Sequence, residues 1–264
     1  MTAGTGGMNF KGKVVVATGV GAGIGAAIAD AFAASGATVV GLERDPETLR
    51  QTAMRIGASG GSFHPICADV SAEEDVAEAF REIVAEFRNI DVLVNNVGKE
   101  FYRKFVDISV SDFDRQIAVN LRSVFLCCSH VVPLMIREQR GCIINTASVQ
   151  ALATTGQTAP YAAAKAGILG MTRDMARDLG QYNIRVNGIC PGCIATPMMD
   201  RGLGRSPDPQ AAREVMRSAI PLRRLGEPRE IANVVLFLAS DLASYVSGVA
   251  MVIDGGLLAQ LPVV

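Results

Sequence analysis

Tyr161 and Lys165 stand four residues apart, and Ser148 lies a short way upstream. On a helix, positions i and i+4 share a face. A phenol held beside a fixed ammonium has its phenolate favoured, so it can give and take a proton near neutral pH. Ser148 closes an apolar run, from which its hydroxyl can converge on the same point. Tyr and Lys at this spacing also occur on ordinary amphipathic helices, so the chemistry depends on what positions them.

A second group lies near the N-terminus. The apolar run 14–18 leads directly into Thr18-Gly19-Val20-Gly21-Ala22-Gly23-Ile24-Gly25, and then into a helical pattern. Glycines there let the backbone turn tightly and approach a pyrophosphate, and the free N–H groups of the helix start (Gly19, Ala22, Gly23, Ile24) face the phosphates. A glycine run alone is often just a turn. Between a strand and a helix it reads as a dinucleotide site. Glu43 follows Gly23 by 20 residues at the end of the second apolar run. A carboxylate there accepts hydrogen bonds from the adenosine ribose and repels a 2′-phosphate. Arg44 beside it would attract that phosphate, but a like charge in the pocket outweighs a flexible neighbour, so NAD is expected over NADP. Asp69-Val70 is expected beside the adenine, and Asn96-Val97-Gly98 beside the ribose at the point where strand order reverses.

Positioning these groups requires an alternating scaffold. Residues 14–18, 38–43, 61–68, 90–95, 142–148, 184–190 and 250–254 read as strands, several of them continuously apolar, as parallel strands covered on both faces are. Amphipathic stripes lie between them: Ile24, Ile28 and Phe32; Val76, Phe80, Ile83, Val84 and Phe87; Ile168, Thr172, Met175 and Leu179; Ile231, Val234, Val235 and Leu238. Ser71 with Glu74 has the form of a capping box, and Asp45-Pro46 that of a cap before a first-turn proline. The pattern predicts an α/β, doubly wound, seven-stranded parallel sheet (a Rossmann fold) in a single domain. Residues 1–10 are expected to be a flexible tail. Within the domain, 11–264, the irregular stretch 198–228 is expected to be a lid.

The chain has 264 residues, a formal net charge of −1 and 49% hydrophobic residues, the composition of a globular enzyme. That charge gives no field for nucleic acid or an anionic membrane. No apolar run reads as long enough to span a bilayer, and no signal peptide is recognised, so a cytoplasmic protein is expected. Cys190-Pro191-Gly192-Cys193 has redox-type spacing but lacks the strand-to-helix position such thiols use, and no second Cys/His pair accompanies it to hold zinc. His64 and His130 read as structural.

From Lys11 to Gly256 the chain resembles the short-chain dehydrogenases/reductases, carrying in order Thr18-Gly19-x-x-x-Gly23-Ile24-Gly25, Asp69-Val70, Asn95-Asn96-x-Gly98, Asn120, Ser148, Tyr161-x-x-x-Lys165, Pro191-Gly192 and Asp254-Gly255-Gly256. Val97 stands where the family usually has alanine. The resemblance implies that Tyr161 is the acid/base and that Ser148 hydrogen-bonds the substrate oxygen. Lys165 would bind the nicotinamide ribose and lower the tyrosine's pKa, and Asn120 would hold a water linking Lys165 to solvent. Pro191, Gly192, Ile194 and Thr196 would pass the nicotinamide. It also implies a homotetramer, with helices around 112–138 and 161–182 at one interface and 251–256 with the C-terminal tail at another.

The expected reaction is hydride transfer between NAD and a small-molecule secondary alcohol or ketone, in a mostly apolar pocket that includes Gln150, Met198, Glu100, Phe101, Tyr102, Val149, Leu152 and Met199. The main alternative is an NADPH-dependent 3-oxoacyl-[acyl-carrier-protein] reductase, with Arg122, Arg173 and Arg177 as candidate contacts to an acidic carrier. A catalytically silent cofactor-binding protein is a minor one, disfavoured because all four catalytic positions are kept.

Overall fold

A computed structural model describes residues 8–260. Seven parallel strands, β1 (Val14–Thr18), β2 (Thr38–Glu43), β3 (Ser62–Cys67), β4 (Val92–Asn95), β5 (Gly141–Thr146), β6 (Ile184–Pro191) and β7 (Ala250–Ile253), form one sheet in the order β3-β2-β1-β4-β5-β6-β7. Order reverses between β1 and β4, which places the switch point at the carboxyl ends of those two strands. The central strands are buried on both faces, and alternate side chains serve opposite layers. Val16, Leu93 and Ile143 join one core, and Val15, Val94 and Ile144 the other.

The helices are α1 (Gly23–Ala34), α2 (Pro46–Ala58), α3 (Glu73–Glu86), α4 (Val110–Ile117), α5 (Ser123–Glu138), α6 (Ala159–Leu179), α7 (Pro197–Leu203), α8 (Pro209–Ala219) and α9 (Pro228–Ala239). Asp45 caps α2 as expected, accepting from the amides of Glu47 and Thr48. The expected Ser71–Glu74 capping box does not form. Helix α3 starts one residue later, behind an uncapped Ala72, and the Ser71 amide and hydroxyl both donate to Asp69. Val84, placed in the apolar stripe of α3, is exposed.

The stretch expected as an irregular lid is largely helical. Thr196 caps α7 and Asp208 caps α8, each followed by a first-turn proline. The N-terminal tail expected over 1–10 lies outside the described residues as far as residue 7. Phe10 is buried, edge-on to Phe32 at 4.9 Å, so the ordered domain begins before Lys11.

Helices α4 and α5 join through a π turn, Ala118–Arg122, into one helical stretch of 29 residues, Val110–Glu138. Contrary to the sequence reading, this stretch is long and apolar enough to cross a membrane by length and composition. Its apolar face is used internally, with Val124, Cys127, Val131 and Met135 buried against the sheet.

Candidate active site

The glycine-rich loop leaves β1 with Gly19 at φ +69° and enters α1 with Gly23 at φ +56°, a region that L side chains rarely adopt. Helix α1 has no side-chain cap and no acidic residue in its first turn, so its leading amides stay available to an anion. A Cβ on Gly25 would lie 1.9 Å from the Gly19 carbonyl oxygen. The loop is therefore a cradle that side chains would fill, and it fits a pyrophosphate.

The switch point is fastened by Thr18 and Asn96. The Thr18 hydroxyl accepts from the amides of Asn96 (2.9 Å) and Val97 (3.2 Å). The Asn96 amide group donates to the Thr18 and Gly19 carbonyls. Val97 lies against Gly19, its Cγ2 3.1 Å from where a Cβ would stand.

At the adenosine end, Glu43 is fixed on both oxygens. Oε2 accepts from the Gly21 amide at 3.2 Å, and Oε1 from the amides of Arg44 and Asp45 at 2.9 and 3.1 Å. Arg44 reaches Asp69, with a guanidinium nitrogen 3.6 Å from its carboxylate. Val70, expected beside the adenine, turns its side chain into the core that also holds Ile66, Val76 and Phe80, and is 3% exposed.

At the other end, Gly192 lets β6 and β7 meet, since a Cβ there would be 2.7 Å from the Asp254 Cβ. Ile194 is buried. Thr196 approaches Gly23, its Cγ2 3.1 Å from a Cβ built there, so the start of α7 closes over the glycine loop.

Ser148, Tyr161, Lys165 and Asn120 come together between these ends. Ser148 follows β5, and its hydroxyl accepts from the Gln150 amide at 3.1 Å. Gln150 itself is engaged by Thr158, whose hydroxyl donates to its Oε1 at 2.6 Å. Tyr161 and Lys165 lie on one face of α6, with the ammonium 5.7 Å from the ring centroid. Gly98 makes room for this group: a Cβ on it would be 3.3 Å from both Asn120 Oδ1 and Lys165 Nζ.

One expectation changes here. Lys165 was expected to lower the Tyr161 pKa. Instead burial pushes the phenol up to about 12, with the Ser148 hydroxyl pulling the other way and the Glu100 charge adding to the rise. Burial also brings Lys165 down to about 8, and its ammonium donates to the Thr146 carbonyl at 2.8 Å. In the π turn the Asn120 side chain bonds protein: Oδ1 accepts from the Lys99 amide at 2.9 Å, and Nδ2 donates to the carbonyl of Lys99 and to Gln116.

Of the residues expected around the substrate, Glu100, Phe101 and Tyr102 line a cavity of about 170 Å³ together with Lys99, Arg103 and Arg205, while Ser148, Tyr161 and Lys165 lie outside its wall. Met198 is half-buried on α7 and Leu152 is exposed. Thr18, Thr146 and Gln116 carry contacts that sequence reading did not assign. Thr18 sat inside a recognised motif, whereas nothing in the pattern marked Gln116.

The remaining candidates are structural. His64 bonds Glu82, and His130 stacks on Phe80 at 5.3 Å. Burial raises the thiol pKa of both Cys190 and Cys193, the opposite of what a redox pair needs.

Comparison with known proteins agrees with this geometry. A family model described as enoyl-(acyl carrier protein) reductase matches residues 19–258. A 3-oxoacyl-[acyl-carrier-protein] reductase, FabG, of Thermotoga maritima is 41% identical over 251 residues, covering 95% of this chain and 99% of the relative. Oxidoreductase UcpA of Escherichia coli K12 is 39% identical over 251 residues, covering 94% and 95%. Among solved structures, levodione reductase superposes with a TM-score of 0.93 at 36% identity, covering 96% of this chain and 100% of that one. A 7α-hydroxysteroid dehydrogenase complexed with NADH and 7-oxo glycochenodeoxycholic acid gives 0.89 at 34% identity, covering 94% and 95%.

Proposed function

The chain belongs to the short-chain dehydrogenase/reductase family, NAD(P)-dependent oxidoreductases acting on CH–OH groups, and from that premise we propose that it moves a hydride between NAD(H) and a hydrophobic secondary alcohol or ketone. The observation that carries this reading is the convergence of Ser148, Tyr161 and Lys165 beside an uncapped glycine cradle. In reduction, the Tyr161 hydroxyl gives its proton to the carbonyl oxygen while Ser148 donates a hydrogen bond to the same oxygen. In oxidation, Tyr161 takes the alcohol proton. A bound nicotinamide supplies or accepts the hydride. Lys165 binds the adjoining ribose and, once drawn there, offsets the burial that raises the phenol. Asn120 positions the Lys99 backbone and, with it, the wall of the chamber. Pro191, Gly192, Ile194 and Thr196 line the nicotinamide end.

NAD is favoured because Glu43 is held by the backbone amides of Gly21, Arg44 and Asp45 at the mouth of the glycine loop, while Arg44 is turned to Asp69. The 41% identity to an acyl-carrier-protein reductase supports the second reading, NADPH-dependent 3-oxoacyl reduction. Of the arginines expected to meet a carrier, Arg122 is committed to Glu73 and the Ser71 carbonyl, while Arg173 and Arg177 are exposed. We further propose a homotetramer and, from six free thiols, a cytoplasmic setting.

Titration with NADH and NADPH, followed by nicotinamide fluorescence, decides between the cofactors; tighter NADPH binding would move the acyl-carrier reading to the front. Tyr161→Phe is expected to lower turnover by about 10³-fold or more, with NADH affinity within about twofold of wild type. Retained turnover in that variant would remove Tyr161 from the mechanism and a silent wild type would leave only cofactor binding.

A further inference from the structure

A buried amide forms part of the 170 Å³ cavity that runs from Lys99 to α4 and Arg205. Gln116 is 3% exposed and belongs to the cavity wall. Its orientation follows from a backbone group. The Lys99 amide can only donate, so the Asn120 atom it meets at 2.9 Å is Oδ1. Asn120 Nδ2 then donates to the carbonyls of Lys99 and Gln116 and, at 2.9 Å, to Gln116 Oε1. The Gln116 acceptor is thereby used, and Nε2 is left as a donor that bonds no acceptor among the described residues. It is not a sealed orphan, as Asn95 Oδ1 and Thr146 Oγ1 are, so it is open to the cavity.

The charges around this donor do not balance. Four cations, Lys99, Arg103, Arg115 and Arg205, share the wall with two carboxylates, Glu100 and Asp112, a net of +2. Arg103 and Asp112 pair with each other, and Glu100 accepts from the Tyr102 hydroxyl at 3.1 Å. Lys99, Arg115 and Arg205 are exposed, and among the described residues none has a carboxylate within ion-pair distance. Arg205 lies 4.8 Å over the Tyr102 ring. A concave wall with an excess of one sign focuses its field on a counter-ion. Guanidinium, ammonium and amide nitrogens are all donors, so the ligand they fit is an acceptor, and the arginine fork matches phosphate and carboxylate oxygens. A phosphate monoester brings a charge of about −1.5 to −2 and three acceptor oxygens, enough to offset the whole excess. A carboxylate offsets only part of it.

We propose that this cavity binds a dianionic phosphoryl group, with Lys99, Arg115 and Arg205 as its cations and Gln116 Nε2 as the fixed donor among them. The site is distinct from the glycine cradle, and Ser148, Tyr161 and Lys165 lie outside its wall, so it stands independently of the dehydrogenase reading. Asn120 is the residue between the two sites, since its side chain holds both the Lys99 backbone and the Gln116 amide in place.

The test is isothermal titration calorimetry with inorganic phosphate, glycerol 3-phosphate and acetate at constant ionic strength, on enzyme saturated with NADH so that the glycine cradle is filled. Phosphate is expected to bind about one site per chain, at least about tenfold more tightly than acetate. Arg115→Gln and Arg205→Gln, both at exposed positions, are each expected to weaken phosphate about tenfold or more while NADH affinity and Tm hold. Gln116→Glu keeps the acceptor for Asn120 and puts a negative charge in place of the donor; it is expected to abolish phosphate binding, with Tm reporting that the variant is folded. Glycerol 3-phosphate bound as well as phosphate identifies a phosphoryl group carried on an ester, and phosphate bound alone identifies the free ion; either supports the site. No phosphate heat up to about 10 mM, acetate bound as tightly as phosphate, or phosphate binding unchanged in both arginine variants overturns it. An enzyme that takes up no NADH overturns the dehydrogenase reading instead, and the arginine variants still tell the cavity from the cradle, because neither arginine lies on the glycine loop.

Discussion

Two buried groups set the behaviour of the site with pH. With the Tyr161 phenol raised to about 12, it is protonated at neutral pH. Reduction uses that protonated form, so its kcat/KM is expected to be flat between pH 6 and about 8. Oxidation needs the phenolate and should climb with pH until it passes the value to which Lys165, drawn to the cofactor ribose, brings the phenol. A flat profile for reduction beside a rising one for oxidation, measured on one alcohol–ketone pair, checks this. Lys165 is an ammonium with no carboxylate beside it, and its pKa is lowered from 10.5 to about 8. The unfolded chain therefore holds this proton more tightly between those values. The group's penalty on stability is full below about pH 8 and is relieved as pH rises toward 10.5. Lys165→Met is expected to raise Tm at pH 7 by a few degrees, with a smaller gain near pH 10, and to weaken NADH binding. Calorimetry at the two pH values tests the sign. Which side chains meet was legible at this scale, because Tyr161, Lys165, Ser148 and the glycines sit on regular elements whose geometry follows from spacing. Their electrostatics were not legible, since burial of Lys165 and the Thr146 carbonyl that receives it depend on how β5 and α6 pack.

Glycine decides the element scale where backbone meets backbone. Gly25 packs on the Gly19 carbonyl, neither of which can move without unwinding the start of α1. Gly25→Ala is expected to lower NADH affinity by about 100-fold or more and to lower Tm, as read by fluorescence titration and thermal melts. Strands β1 and β2 match the sequence reading at both ends because they are buried on both faces and bounded by turns. Helices α7 and α8 were missed although Thr196-Pro197 and Asp208-Pro209 repeat the signal that Asp45-Pro46 gives for α2; the surrounding glycines and charges obscured it. The π turn had no signal of its own. Nothing in Ala118–Arg122 differs from ordinary helical sequence, and the turn exists because Asn120 has to reach Lys99 while α5 keeps its apolar face on the sheet.

For the whole molecule, the exposed apolar residues mark where copies would meet. Phe125 on α5 is 58% exposed, and Tyr245 and Leu258 stand out near β7. The proposed homotetramer would bury both regions. Light scattering is expected to show four chains of 27.8 kDa, and Phe125→Glu to shift the species to a smaller assembly; a monomeric wild type would refute the tetramer. The rod from Val110 to Glu138 thus serves two customers, since Asn120 reaches inward to the Lys99 backbone and Phe125 faces outward. An α-helix advances about 100° per residue, so the surplus residue in the π turn works like the key on a camshaft, fixing the angle between two lobes. Substitutions retune each lobe separately. Losing one residue at the turn would swing one lobe against the other in a single step, and for that reason the length of this segment is constrained more tightly than its composition.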